Sequence, residues 1–190
     1  MNDAPRVLLL PGWLDSGPAH WQTRWEIQHR FERVQQSDWQ WPRRGDWMAR
    51  LEEVLLAGRG ADSAQPPRRA VLVAHSLGCH LVAAWAAHSR HTALVMGALL
   101  VAPPDTARHD MPPQLHNWRP AVRQRLPWAA TVLFSEDDPY CTPDCARSLA
   151  ADWGATAHSV GAAGHINGES GLGDWPAGLA RLQALGVGTA

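Results

Sequence analysis

Three stretches of this chain place reactive side chains at or after the end of a strand-like run. The first is Val71-Leu72-Val73-Ala74-His75-Ser76-Leu77-Gly78-Cys79, where a strand-like run gives way to a serine and then to a helical pattern. A sharp strand–turn–helix of this kind presents the serine Oγ at a helix N-terminus, where free amides and the helix dipole favour negative charge. Such a turn needs small residues two before and two after the serine, and Ala74 and Gly78 stand there. The usual pattern is G-x-S-x-G, from which Ala74 departs by one methyl group. The second stretch, Phe134-Ser135-Glu136-Asp137-Asp138-Pro139-Tyr140, sets an acidic cluster at the end of another apolar run, with Asp-Pro as a turn signal. The third, Gly161-Ala162-Ala163-Gly164-His165-Ile166-Asn167-Gly168, carries a histidine among glycines that permit close backbone approach.

A serine, a carboxylate and a histidine can together carry out acyl transfer. The histidine takes the hydroxyl proton, and the acid holds the imidazole in its productive tautomer. The chain order Ser…Asp…His is the one the α/β-hydrolase fold uses, whereas trypsin-like and subtilisin-like triads use other orders. A fourth segment, Pro11-Gly12-Trp13-Leu14, follows the first apolar run, where a backbone N–H is needed beside that of the residue after the nucleophile. The amides of Trp13 and Leu77 are therefore expected to form an oxyanion hole. His75 neighbours the serine but should point the opposite way, which reads as a structural role.

These residues need strands to end beside one another. Strands are expected over Arg6–Leu10, Arg69–His75, Ala93–Ala102, Ala129–Ser135 and Ala155–Val160, with a short polar strand around Glu32–Gln36. Helical patterns alternate with them. Ser16-Gly17-Pro18 should open a helix carrying Trp21 and Trp25, and Asp46 should cap one with Trp47, Leu51, Val54 and Leu55 on a single face. Leu77 to His88, a helix from Thr142-Pro143, and one capped by Asp174 complete the set. Gly58 to Pro67 reads as a surface loop, and Asp105 to Pro127, with four prolines, as irregular chain. Continuous apolar strands separated by single helices mean parallel pairing with helices on both faces. The expected fold is α/β, three-layered and doubly wound, with a mostly parallel sheet of about six strands in one domain over residues 1–190. Most of the eleven tryptophans should be packing, with Trp13 and Trp118 in loops able to border a pocket.

Composition narrows the chemistry further. The chain has 190 residues, 45% apolar, and a net charge of −1, which leaves no footprint for nucleic acid or an anionic membrane. All of its basic residues are arginine. Without lysine there is no Walker-type P-loop and no Schiff-base or pyridoxal-phosphate catalysis. Three cysteines form neither a disulfide framework nor a zinc pattern, so no metal or organic cofactor is expected. No signal peptide and no apolar run of membrane length is evident, which points to the cytosol.

Leu10-Pro11-Gly12-Trp13, Ser16-Gly17-Pro18 and His20-Trp21 resemble the opening of the small serine hydrolases typified by retinoblastoma-binding protein 9 and the YdeN-like bacterial proteins. Val73-Ala74-His75-Ser76-Leu77-Gly78, Ser135-Glu136-Asp137-Asp138-Pro139-Tyr140 and Gly164-His165-Ile166-Asn167-Gly168-Glu169-Ser170-Gly171 match the family's other segments in order. The resemblance implies a minimal α/β-hydrolase without a large lid. It places the triad on Ser76, Asp138 and His165, and implies action on small esters or on amides. The family also implies a rival reading, a non-catalytic protein-binding module on a hydrolase scaffold. The chain has no L-x-C-x-E motif of the kind that meets pocket proteins: Leu77-Gly78-Cys79-His80-Leu81 stops short. Because Asp105 to Pro127 holds few aliphatic residues, turnover is expected to peak on acetyl to butyryl esters.

Overall fold

The computed structural model describes residues 5–57 and 67–186. Six parallel strands form one sheet in the order β2-β1-β3-β4-β5-β6. They are β1 (Arg6–Leu10), β2 (Glu32–Arg33), β3 (Ala70–His75), β4 (Val95–Val101), β5 (Ala129–Phe134) and β6 (Thr156–Ser159). Every one of the five pairings is parallel, as continuous apolar runs joined by helices require.

The side-chain alternation of the strands divides the core in two. Leu8, Leu10, Leu72, Ala74, Ala98 and Leu100 face one layer, which is closed by α2 (Arg44–Ala57), α3 (Leu77–His88) and α4 (Pro143–Trp153). Val7, Leu9, Val71, Val73, Leu99 and Val101 face the other, closed by α1 (Trp21–His29) and α5 (Pro176–Gln183). In that second layer Trp21, Trp25 and Trp175 pack ring against ring, with centroids 4.7, 5.0 and 6.0 Å apart. Trp118 belongs to the first layer, 1% exposed and donating its indole N–H to Pro42 O, so the expectation that it borders a pocket is corrected.

Three helix starts differ from the sequence expectation. The first helix starts at Trp21 with His20 as its cap, because His20 Nδ1 accepts the Gln22 N–H while the Ser16 hydroxyl donates to Gln22 Oε1. The second starts at Arg44, whose amide is capped from outside by Asn117 Oδ1 at 2.8 Å, leaving Asp46 in the first turn. The last starts at Pro176, since Asp174 spends its carboxylate on Arg24 and its carbonyl on the Trp25 indole. Within 105–127 the chain forms a 3₁₀ helix over Pro113–Trp118. The expected loop from Gly58 lies, as far as residue 66, outside the described residues.

Candidate active site

The strand order reverses between β1 and β3, and in open α/β sheets ligands bind in the crevice beyond such a switch point. The loop after β1 and the turn after β3 meet there. Two glycines make the approach possible. A Cβ on Gly12 would lie 2.7 Å from Ser76 Cβ, and one on Gly78 would lie 2.3 Å from Leu10 O. Gly78 thus lets α3 press against the neighbouring strand end. Gln22, a fully buried residue that the sequence did not single out, donates to both Leu10 O and Val73 O and ties these two strand ends together.

Ser76 is held at φ 54° and ψ −122°, a conformation an L-residue occupies at a cost of about 1–3 kcal/mol. Its amide donates to Val101 O at 2.9 Å, and α3 begins at the next residue. The strained turn lifts Oγ out of the sheet. His165 Nε2 lies 2.9 Å from that Oγ, and His165 Nδ1 lies 2.9 and 3.0 Å from the two oxygens of Asp138. The side chains of His165 and Asp138 are 10% and 3% exposed. Of the acids in the cluster, the structure brings Asp138 to the histidine ring. Asp138 Oδ1 also accepts the Tyr140 N–H, which fixes the carboxylate, and the Tyr140 ring packs edge-on against His165 at 4.6 Å.

Asp137 points elsewhere. Its Oδ1 accepts the Ser135 hydroxyl and the Gly164 N–H, each at 2.7 Å, and these bonds hold its carboxyl below the usual range. His75 is the last residue of β3 and lies on the α1–α5 face, where its Nε2 meets His165 O at 2.9 Å. It does point away from Oγ, yet it braces the histidine that Oγ meets. Burial keeps its pKa well below 6.5, with repulsion from His20 and His165 added, so its ring is neutral and Nε2–H donates to that carbonyl. Burial likewise lowers the pKa of His20 to about 3, reinforced by Arg33.

An open-mouthed cavity of about 640 Å³ lies over this chain of hydrogen bonds. Its walls include Trp13, Leu14 and Leu77 on the β1–β3 side, with Ser76 and His165 at its base. The opposite wall comes from the irregular segment, which presents Met111, Pro112 and Leu115. The segment also contributes Asp105, Arg108 and Asp110 to the lining, and Met111 and Leu115 are themselves only 9% and 8% exposed. Its arginines are turned to anchoring: Arg119 donates to Thr106 O and Arg108 O, and Arg108 to Pro139 O and Asp110. They hold the loop in shape beside the cavity, which Arg108 itself also lines. Among the described residues, no group of three or more His, Cys, Asp or Glu is arranged to hold a metal ion.

A family model described as serine hydrolase matches residues 7–184. Among solved structures, a protein described as a YdeN-like hydrolase from Pectobacterium atrosepticum is similar at 27% identity and a TM-score of 0.79, covering 96% of this chain and 90% of that one. The ydeN gene product from B. subtilis shares the fold at 19% identity and a TM-score of 0.70, over 95% of this chain and 98% of its own. Carboxylesterase CesB from Bacillus subtilis shares it at 15% identity and a TM-score of 0.59, over 98% and 84%. A search of curated protein sequences finds no match.

Proposed function

Starting from the fact that this chain belongs to the serine hydrolase family, we propose that it cleaves small esters through an acyl-enzyme on Ser76. The observation that carries this reading is the unbroken hydrogen-bond chain Ser76 Oγ–His165 Nε2 and His165 Nδ1–Asp138. His165 accepts the Oγ proton as Oγ attacks the acyl carbonyl, and Asp138 stabilises the imidazolium that forms. The Trp13 and Leu77 amides hold the developing oxyanion, and His165 returns the proton to the leaving alcohol. Water, activated by the same imidazole, then attacks the acyl carbon and releases the acid and the free serine.

No step of this sequence calls for a metal or an organic cofactor. Nothing in the chain's charge favours a nucleic acid, and no described helix is long and apolar enough to cross a membrane. The partner is therefore a small molecule, and a carboxylesterase-type reaction suits an open, mostly apolar cleft. A soluble setting in the cytoplasm fits this reading. Ester turnover by purified protein and by Ser76→Ala tests it. The variant should stay folded and lose roughly 10⁴-fold or more in kcat. Undiminished turnover in Ser76→Ala would remove the proposal.

A further inference from the structure

The acidic cluster sends two adjacent carboxylates to the same histidine by different routes. Asp138 reaches the ring of His165, whereas Asp137 reaches the main chain just before it. Asp137 Oδ1 accepts the Gly164 N–H at 2.7 Å and the Ser135 hydroxyl at 2.7 Å. Ser135 is fully buried, and its Oγ accepts the Ala163 N–H at 2.8 Å. The two side chains thus bind consecutive amides immediately ahead of the histidine.

That loop needs holding. Gly161, Gly164 and Ile166 have φ values of 78°, 55° and 49°. For a β-branched residue such as Ile166 this is a strained conformation, worth about 1–3 kcal/mol against the fold. Past the histidine the loop is anchored by His75 Nε2–H on His165 O and by the Trp21 indole N–H on Ile166 O. Ahead of it, the Ser135–Asp137 pair is the matching anchor, helped by Glu136 N–H on Gly161 O.

We propose that Asp137 is a positioning residue, which with Ser135 clamps the Ala163 and Gly164 amides and so keeps the His165 imidazole in line between Ser76 and Asp138. The proposal rests on reading those three as the reacting groups. Asp137 is exposed and contributes nothing to the core, so its acceptor geometry, not its bulk, is what the loop uses. A shift of the imidazole of about 1 Å is enough to cost on the order of 100-fold in rate.

The test compares Asp137→Ala, Asp137→Asn, Ser135→Ala and Asp138→Asn in the full chain, with ester kinetics normalised to sites titrated by a fluorophosphonate. Asp137→Ala should lower kcat by roughly 10- to 100-fold with KM within about twofold, since substrate contacts are untouched. Asn keeps an oxygen able to accept both bonds and should restore kcat to within about threefold of the parent. Ser135→Ala should follow Asp137→Ala in the kcat and KM pattern. Parental kcat in Asp137→Ala, or an equal loss in Asp137→Asn, would overturn the positioning role. The underlying reading fails separately: there, Asp138→Asn itself would keep parental kcat, whereas that reading expects a loss of about 10⁴-fold.

Discussion

His20, His75 and His80 are each at most 5% exposed, and burial is the largest cause of the lowered pKa of all three. His20 falls to about 3 and His80 to about 4, while His75 lies well below 6.5. In the unfolded chain each titrates near 6.5, so between that value and the folded pKa the unfolded state binds more protons. Stability must therefore rise with pH across this window and fall on acidification. By pH 5.5 His20 and His80 should each cost about 1.3 kcal/mol relative to neutral pH, and His75 acts in the same direction. Urea unfolding at pH 7.5 and 5.5 checks this, with a clearly lower midpoint expected at pH 5.5 and an unchanged midpoint contradicting it. At this scale the sequence was most legible where residues end strands. Ser76 and His165 stood out as candidates, the first by its place between an apolar run and a helical pattern, the second by its glycine-rich loop at the end of the chain order Ser…Asp…His. Asp138 was separated from Asp137 by family resemblance and by its place before Pro139, since two carboxylates one residue apart otherwise look alike until the turn aims them. The bracing role of His75 was hidden, because it depends on a loop ninety residues away folding over its face.

The elements owe their positions to a few close contacts that leave different marks in the sequence. The central strands were legible because each is an apolar run bounded by turn residues, whereas the edge strands β2 and β6 are polar and partly exposed. Helix starts were not, because tertiary partners took over the capping. Asn117, far along the chain, caps α2, and Arg24 claims Asp174. Gly78 was expected as one of the small residues a sharp turn needs, and it is the neighbouring strand end that it meets. A Cβ there would lie 2.3 Å from Leu10 O, a backbone atom that cannot swing aside. Gly78→Ala should therefore destabilise the protein by roughly 2–3 kcal/mol or more, as overpacking does. Gly17→Ala, where a Cβ meets nothing within 4 Å, serves as the control and should unfold at the parental midpoint. Equal midpoints for the two variants would show that Gly78 is not a contact the site depends on.

For the molecule as a whole, the α/β architecture followed from alternation alone, whereas the reversal of strand order beside the candidate site is visible only in the structure. What escaped the sequence was the segment 105–127. Its prolines and arginines suggested irregular chain with little apolar surface, yet arginine–carbonyl contacts fix it so that Met111, Pro112 and Leu115 line the cavity together with Asp105, Arg108 and Asp110. A cavity of about 640 Å³ is mid-range for a small-molecule site, commonly about 300–1,000 Å³. With each buried methylene worth about 0.8 kcal/mol, kcat/KM on p-nitrophenyl esters should rise several-fold per methylene from acetyl to about hexanoyl and then level off. A steady decline from acetyl onward would show that the apolar wall does not receive the acyl group. The central claim, an acyl-enzyme on Ser76, is met most directly by labelling the active protein with a fluorophosphonate and mapping the modified peptide. One label per chain is expected, on Ser76, with esterase activity lost in step. A label on Ser135 or Ser170, or full activity in the labelled protein, would contradict it.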